Sequence, residues 1–582
     1  MNYNLSTENI KKWETLKSSF KKFSSLTKGE GKRLLISVIA IVTNSLSTLS
    51  SPILLAYAID NYIRTKDFNW ILLFSVFLFL IYIVESTATY VQTKTMWEIW
   101  INILFRLRNR IFTKLQELPV TFFNQNKTWD LISRINSDTE KLNMFFSEAL
   151  TQFIWNISLI TWTWIFILAI NFRLWIVTLL PALVIFIITH LISPWVKRRN
   201  LESLQSLWAM SSEIQESLNN FKVMVAYNRL DYFKEKFKKF NLRNYKAFIK
   251  AWIANNIFTP IYWFAANIAQ LLTLSFWIYL IMNWNFTLWL LIWFQFYINF
   301  FYNSLREMAE LWSLFQLASA SLDRISEVIS MESDMKIVPQ EDSKETVSII
   351  EFENVVFRYP ETSEILKGVS FSLQKGMTYA LVGPTGGWKT TTASLMARLY
   401  DPMDWKVYLD WKDIRSYTEA ERANKIWFIL QEPFLFSWNI KENILYWNSQ
   451  FENYSNEDLL KELENKGLAD LLVKFNDWLE TEVTWGISLG QKQIIAFMRA
   501  ILKNPELLIL DEATANIDTI TEHLLEDILK KLPENTTKVI IAHRFNTIKN
   551  ADLIFFVNSW AIIQTWSMQD ALEMLQHWVR EG

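Results

Sequence analysis

The sequence predicts a bundle of six long membrane-spanning α-helices followed by an α/β domain of the P-loop NTPase type. Six apolar segments of spanning length come first. Beyond residue 348, short β-patterned runs alternate with helical stretches. A polar, acidic stretch that contains Pro339 separates the two regions. We therefore divide the chain into a lead-in (1–33), a membrane domain (34–330), a linker (331–347) and a nucleotide-binding domain (348–582). The predicted spans are 34–60, 68–92, 146–170, 173–195, 253–282 and 286–312.

The composition argues against a nucleic-acid partner, disulfide bonds and a zinc site. Half of the residues are hydrophobic (51%) and the net charge is −1, so nothing indicates a nucleic-acid partner. The absence of cysteine excludes disulfides and thiolate metal sites. The four histidines lack the spacing of zinc ligands; they are His190, His523, His543 and His577.

The charged loops predict the orientation in the membrane. The stretches 93–145 and 196–252 are long and rich in lysine and arginine, whereas the other connections are short. Cytoplasmic loops carry an excess of these cations, so we expect the long loops and both termini to be cytoplasmic, with the chain in the cell membrane. The lysine-rich lead-in is expected to lie against the membrane surface.

The balance of glycine and tryptophan is unusual. The chain has 11 glycines and 29 tryptophans, and no glycine lies between Gly31 and Gly368. An average protein of this length has about 40 glycines. This number equals the sum of the glycine and tryptophan counts of this chain. We therefore hypothesise that many tryptophans stand where the encoded residue is glycine, as when a UGA codon that means glycine is translated as tryptophan. The alternative is a membrane protein with genuine aromatic belts.

A phosphate-binding loop is indicated between the strand "TYALV" and the helix "TTASLMARL". Backbone N–H groups and the helix dipole would bind ATP phosphates, Lys389 would reach the β- and γ-phosphates, and Thr390 would hold Mg²⁺. Trp388 occupies a position where the motif G-x-x-x-x-G-K-[ST] has glycine. The residues of the predicted ATP site here are Gly383, Pro384, Thr385, Gly386, Gly387, Trp388, Lys389, Thr390 and Thr391.

The run "ELLILDE" is typical of a buried strand that ends in two acidic residues. Asp511 is predicted to bind Mg²⁺ through water. Glu512 is predicted to act as the general base toward the attacking water. Taken alone, a strand that ends in two acidic residues is also compatible with an ordinary capped loop that has no catalytic role.

The segment "ISLGQKQIIAFMRAIL" resembles the signature of ATP-binding cassette (ABC) proteins. In that family Ser488, Gly490 and Gln491 would present a helix N-terminus to the γ-phosphate bound by a partner subunit. Leu489 departs from the glycine that many members have there. The resemblance further implies the following roles: Tyr359 stacks on adenine, Gln431 lies near Mg²⁺ and the attacking water, Asp518 belongs to the D-loop, and His543 contacts the γ-phosphate.

The order of the domains resembles the exporter branch of this family, in which one chain is a half-transporter. The segments 118–142 and 213–233 resemble cytoplasmic loops whose short coupling helices dock on the ATPase domains. The resemblance implies an ATP-driven exporter that works as a homodimer or as a heterodimer with another half-transporter. The apolar spans favour a small amphiphilic, lipid-like or drug-like substrate, and membrane lipid is an expected partner of the chain.

The same resemblance sharpens the glycine hypothesis. Glycine is usual in the family at nine positions where this chain has tryptophan: Trp129, Trp388, Trp405, Trp411, Trp427, Trp438, Trp447, Trp560 and Trp566. A genuine Trp388 would fill the phosphate volume and leave a non-hydrolysing protein with a degenerate, regulatory cassette. A peptide-processing exporter is a weaker alternative, because the region before the first span lacks the cysteine and the length of a protease domain.

Overall fold

The computed structural model consists of two compact units. The helical unit comprises Ser6–Gln116 and Thr128–Ser330, and the α/β unit comprises Met1–Leu5, Glu117–Lys127 and Met331–Gly582. The described residues are 3–5, 29–63, 67–170, 172–283, 288–340, 347–360, 364–384, 388–431, 433–446, 448, 451, 454–468, 478–483, 487–511, 519–541, 551–558 and 561–565.

Long helices build the helical unit. Short π-helical turns join several of them, at Ile59–Ile63, Arg134–Asp138 and Phe145–Ala149. The helices are α1 (Gly31–Ala58), α2 (Phe68–Gln116), α4 (Thr128–Ser133), α5 (Thr139–Met144), α6 (Leu150–Ile170), α7 (Phe172–Asn219), α8 (Phe221–Ala226), α9 (Leu230–Asn256), α10 (Phe258–Asn283) and α11 (Leu288–Ser330). Helix α3 (Val120–Gln125) belongs to the α/β unit.

Within the described residues, five helical segments are long and apolar enough to cross a membrane. Several extend far beyond a bilayer thickness: α2 has 49 residues and α7 has 48, where about 20 would span. The sixth predicted span falls on α11, which has 43 residues. The five segments are Gly31–Leu55, Phe68–Gln116, Thr128–Ala169, Trp175–Asn219 and Leu230–Ile278.

The α/β unit holds two sheets. A four-stranded antiparallel sheet has the order β2-β1-β4-β5, and a six-stranded sheet has the order β10-β9-β3-β8-β7-β6 with its inner strands parallel. The strands are β1 (Ser348–Phe357), β2 (Leu366–Gln374), β3 (Thr378–Val382), β4 (Asp404–Leu409), β5 (Lys412–Asp413), β6 (Ile426–Ile429), β7 (Leu507–Asp511), β8 (Thr537–Ile541), β9 (Leu553–Asn558) and β10 (Ala561–Thr565). The helices are α12 (Lys389–Met396), α13 (Glu419–Lys425), α14 (Ile440–Leu445), α15 (Asn456–Asn465), α16 (Leu489–Lys503) and α17 (Thr519–Lys530); 3₁₀ turns lie at Ile414–Ser416 and Trp478–Glu480.

The parallel sheet positions the candidate site. Every residue of β7 is buried, and the last four residues of β3 are buried as well, as expected for strands covered on both faces. β3 pairs with β8, which pairs with β7. In open α/β sheets ligands bind beyond the carboxyl ends of the strands. The end of β3 and the end of β7 therefore form one edge, where the phosphate loop and Asp511 meet.

The first residues of the lead-in belong to the α/β unit, where Tyr3 and Leu5 are buried. Most of the lysines on which the expectation of a membrane-surface segment depends lie outside the described residues, so that expectation stays a prediction. The Tyr3 hydroxyl donates to the Asp334 carboxylate (2.6 Å), and its ring meets Phe122 edge-on (6.3 Å between centroids). The Leu5 N–H donates to Asn126 Oδ1 (2.9 Å). An aromatic and an aliphatic side chain gain more from this apolar contact than from solvent.

Candidate functional site

The phosphate loop leaves β3 at Gly383 and enters α12 at Lys389. A side chain at Gly383 would collide with the backbone oxygen of Val557, so the close approach of β9 requires glycine there. Lys389 is buried, and its ammonium donates to the carbonyls of Gly383 (2.8 Å) and Pro384 (3.1 Å). The ammonium is therefore held beside the end of β3, near the N-terminus of α12, where anions bind.

A hydroxyl and a carboxylate meet beside the loop. Thr390 Oγ1 donates to Asp511 Oδ1 at 3.2 Å, which joins the first turn of α12 to the end of β7. Asp511 is 6% exposed. Hydroxyl and carboxylate oxygens are the donors that Mg²⁺ prefers, and Mg²⁺ usually binds through one or two such groups together with substrate phosphates. The donor set therefore fits this cation.

The predicted adenine-stacking residue lies close to the phosphate loop. The Tyr359 hydroxyl is 3.0 Å from Thr391 Oγ1 in α12. Its ring meets Phe357 and Tyr400 edge-on, with centroids 5.1 Å and 5.2 Å apart. The tyrosine is thus held at a fixed distance from the phosphate loop.

The predicted signature begins helix α16. Ser488 caps the helix: its hydroxyl accepts from the Gln491 N–H (3.2 Å), and Gln491 Oε1 accepts from the Ser488 N–H (3.0 Å). This reciprocal capping box fixes the direction of the first turn, which contains Gly490. The hydrophobic face of the helix is buried from Ile494 onward, so the capped end projects from a rigid element.

Of the remaining predicted residues, the structure describes Gln431, which follows β6 and is exposed. The other predicted residues lie outside the described part of the chain: Thr385, Gly386, Gly387, Glu512, Asp518 and His543. The structure therefore brings Lys389, Thr390, Thr391 and Asp511 together.

Three tryptophans have a backbone conformation that favours glycine. Trp388, Trp405 and Trp411 have φ of 66°, 68° and 69°. Among described non-glycine residues with positive φ, the others are one arginine and four asparagine or aspartate residues, the types that tolerate this region. A bulky residue there is a genuine outlier and costs about 1–3 kcal/mol.

These three residues all belong to the nine positions that the sequence singled out. Of the other six, Trp447, Trp560 and Trp566 lie outside the described residues. Trp129, Trp427 and Trp438 have no positive φ, so backbone conformation does not single them out. Among the described residues, the tryptophans with positive φ thus lie at the end of the phosphate loop (Trp388), in the second residue of β4 (Trp405) and in the turn after β4 (Trp411).

A buried arginine that the sequence did not single out ties α16 to the segment after β6. Arg499 Nη1 donates to the Phe434 carbonyl (2.9 Å), Nη2 donates to Asn443 Oδ1 (2.6 Å), and Nε donates to the Asn443 carbonyl. Its guanidinium also lies 5.6 Å from the centre of the Tyr446 ring. Burial lowers the pKa of Arg499 to about 10, so it remains charged at neutral pH. A lone arginine in a helical pattern carries no sequence signal for contacts this distant.

We expect Arg499→Lys to destabilise the α/β unit, because one ammonium cannot reach the Phe434 carbonyl and both Asn443 oxygens at once. Hydrogen bonds from a charged donor are each worth about 1.5–3 kcal/mol, and the orphaned carbonyls remain buried. The apparent unfolding temperature of the full chain should fall by about 5–10 °C, measured by intrinsic fluorescence. Lys503→Ala is the control, since this partly buried lysine at the end of the same helix makes a solvent-exposed hydrogen bond to Asn424 (2.7 Å). Equal shifts for both variants would contradict a special role of Arg499.

Comparison with known proteins places both parts of the chain in one family. Residues 34–305 match the family described as ABC transporter transmembrane region, and residues 366–515 match the one described as ABC transporter. The chain is 31% identical over 565 residues to an "Uncharacterized ABC transporter ATP-binding protein YfiC" of Bacillus subtilis, covering 93% of this chain and 90% of that protein. It is 27% identical over 579 residues to the "Putative multidrug export ATP-binding/permease protein YgaD" of the same species, covering 95% and 97%.

Proposed function

Because this chain belongs to the ABC transporter family and couples ATP hydrolysis to transport through a multi-pass membrane domain, we propose that it is an exporter of amphiphilic, lipid-like or drug-like molecules. The contact between Thr390 and Asp511 beside Lys389 is the observation that carries the ATPase part of this proposal. The relatives do not favour the alternative of a non-hydrolysing cassette. The protein is proposed to reside in the cell membrane with both termini in the cytoplasm.

In the proposed mechanism each residue has one task at the phosphate edge of the sheet. Lys389 exchanges its loop carbonyls for β- and γ-phosphate oxygens, and Tyr359 stacks on adenine. Thr390 and Asp511 would hold Mg²⁺, which neutralises charge on the phosphates when bound. Glu512 accepts a proton from the attacking water, while Gln431 and His543 orient that water and the γ-phosphate.

A second subunit completes the proposed site. The capped end of α16, with Ser488, Gly490 and Gln491, would face the γ-phosphate held by the other subunit, beside the D-loop residue Asp518. Two copies of this chain suffice for two such sites, and a pair with a second half-transporter is allowed as well. Closure of this sandwich would open the membrane cavity outward, and hydrolysis would reset it.

We also propose that the encoded residue is glycine at position 388 and at the other eight positions named above. The φ values near +67° at Trp388, Trp405 and Trp411 support this. Glycine adopts that conformation without strain and leaves room for the phosphate. The 11 glycines and 29 tryptophans of the whole chain support it independently.

A cavity in the helical unit supports the proposed substrate class. It has a volume of about 480 Å³ and lies between α10 and α11. Its apolar lining includes Tyr262 and Tyr302, which are buried. Polar groups inside membrane helices are costly and mark functional surfaces. The polar lining residues are Thr259, Asn267, Gln270, Asn299, Asn303 and Arg306. Such a mixed lining suits a molecule with an apolar body and a hydrogen-bonding head.

The test is ATP-dependent uptake into inside-out proteoliposomes that contain only this chain, with glycine at the nine positions. We expect uptake of a fluorescent phospholipid or an amphiphilic dye and none of a hydrophilic dipeptide. Asn267→Ala with Asn303→Ala should lower that uptake at least about fivefold while basal ATPase stays unchanged, because two lining amides would be lost. Uptake of the dipeptide alone would contradict the substrate class. ATPase that requires a second half-transporter would exclude the homodimer.

A further inference from the structure

Helix α3 makes a hydrogen bond to a tyrosine that lies beside the predicted adenine-stacking residue. Asn124 Nδ2, on this helix, donates to the Tyr400 hydroxyl at 2.7 Å. Tyr400 follows α12 in the chain, and its ring lies against Tyr359 (5.2 Å, interplanar angle 83°) and Phe357 (5.6 Å). Helix α3 lies in the segment 118–142 that resembles a coupling loop.

The chain of contacts continues to the phosphate loop. The Tyr359 hydroxyl is 3.0 Å from Thr391 Oγ1, two residues after Lys389. Tyr400 is half-buried; burial and the neighbouring Tyr359 raise its pKa, while the bond from Asn124 opposes that rise. The hydroxyl therefore stays protonated at neutral pH and remains a stable acceptor for Asn124.

The other side of α3 is held as well. Tyr3 packs on Phe122, and the Tyr3 N–H donates to Gln125 Oε1 (2.6 Å). Asn126 Nδ2 donates to the Tyr3 carbonyl (2.9 Å). Because the helix is fixed on that side, a displacement of Asn124 would pass to the Tyr400 ring instead of being lost in a loose segment.

We propose that Tyr400 is a positioning residue that transmits the position of α3 to Tyr359 and so sets the affinity for ATP. This inference rests on the proposed role of Tyr359 at the adenine. Coupling between two sites is reciprocal, so breaking the Asn124–Tyr400 bond should change ATP binding although neither residue touches the phosphates in the proposed mechanism. The chemical step should be unaffected, since Lys389, Thr390 and Asp511 keep their contacts.

The experiment is a double-mutant cycle on ATPase kinetics of the full chain with glycine at the nine positions. Tyr400→Phe keeps the ring contacts and removes only the hydroxyl, and Asn124→Ala removes the donor. We expect each single variant to raise KM for ATP about three- to tenfold with kcat changed less than twofold, as for loss of one hydrogen bond. The double variant should be no worse than either single variant.

Val120→Ala is the matched control, since it truncates an exposed side chain on the same short helix and should leave KM unchanged. Additive effects of the two substitutions, or a fall in kcat with KM unchanged, would overturn the proposal. If the parent protein shows no ATPase, the proposed function fails. If the parent hydrolyses ATP and the cycle is additive, only the role of Tyr400 fails.

Discussion

Replacing Trp388 with glycine in the recombinant chain should raise ATP hydrolysis at least about 100-fold, which corresponds to about 2.7 kcal/mol of transition-state stabilisation. Two effects contribute. Position 388 regains the glycine that the phosphate-loop motif has there, so no side chain stands between a phosphate and the backbone N–H groups. The backbone at φ of 66° is also relieved of the strain that a bulky residue suffers there. The measurement is steady-state phosphate release at saturating ATP and Mg²⁺.

Two further variants separate these effects. Trp388→Ala removes the indole but keeps a β-carbon in the left-handed region, so it should recover only part of the activity. Trp405→Gly relieves the same kind of strain at φ of 68° outside the phosphate loop, so it should raise stability and leave hydrolysis unchanged. In protein from the native host, tandem mass spectrometry of the peptide 376–398 should show glycine at 388. Tryptophan there, or an active chain that retains the indole, would contradict the glycine hypothesis.

The sequence predicted the parts of the fold that local patterns encode. The predicted fold class, a membrane helical region followed by an α/β domain of ABC type, is confirmed by the family matches. "LLILD" forms β7 because an unbroken apolar run suits a strand buried on both faces. The helix predicted to begin at the signature is α16, and the capping box between Ser488 and Gln491 that starts it involves residues only three apart. Such features need no knowledge of distant contacts.

Contacts between distant parts of the chain could not be predicted in this way. Asn124 and Tyr400 are 276 residues apart, and Tyr3 and Asp334 are 331 apart. Neither pair belongs to a motif. Taken singly, each of these residues has the character of an ordinary polar or aromatic surface residue. No local pattern relates residues so far apart in the chain. The positive φ at Trp405 and Trp411 was likewise not predicted, although the family's glycine positions had already singled out both residues.

Asp511→Asn, in the chain with glycine at 388, should reduce ATP hydrolysis at least about 100-fold, about 2.7 kcal/mol by transition-state arithmetic. The amide has almost the same shape, and its Oδ1 still accepts from Thr390 Oγ1, so the joint between α12 and β7 remains. Only the negative charge is lost, and that charge is what a divalent cation requires at this edge of the sheet. The Mg²⁺ concentration for half-maximal activity should rise as well, measured by titrating Mg²⁺ at fixed ATP.

Asp413→Asn is the matched control for this loss of charge. Asp413 is also partly buried and hydrogen-bonded: it accepts from the Arg415 N–H (2.9 Å) and from the Arg415 guanidinium (2.8 Å), at a turn remote in sequence from the phosphate loop and β7. Its replacement removes one carboxylate from the same unit and should change activity less than about twofold, as for a substitution away from the reacting groups. If both variants lose activity equally, the effect at 511 is one of folding. If Asp511→Asn stays active at low Mg²⁺, Asp511 does not hold the cation, and the hydroxyl of Thr390 would have to do so without it.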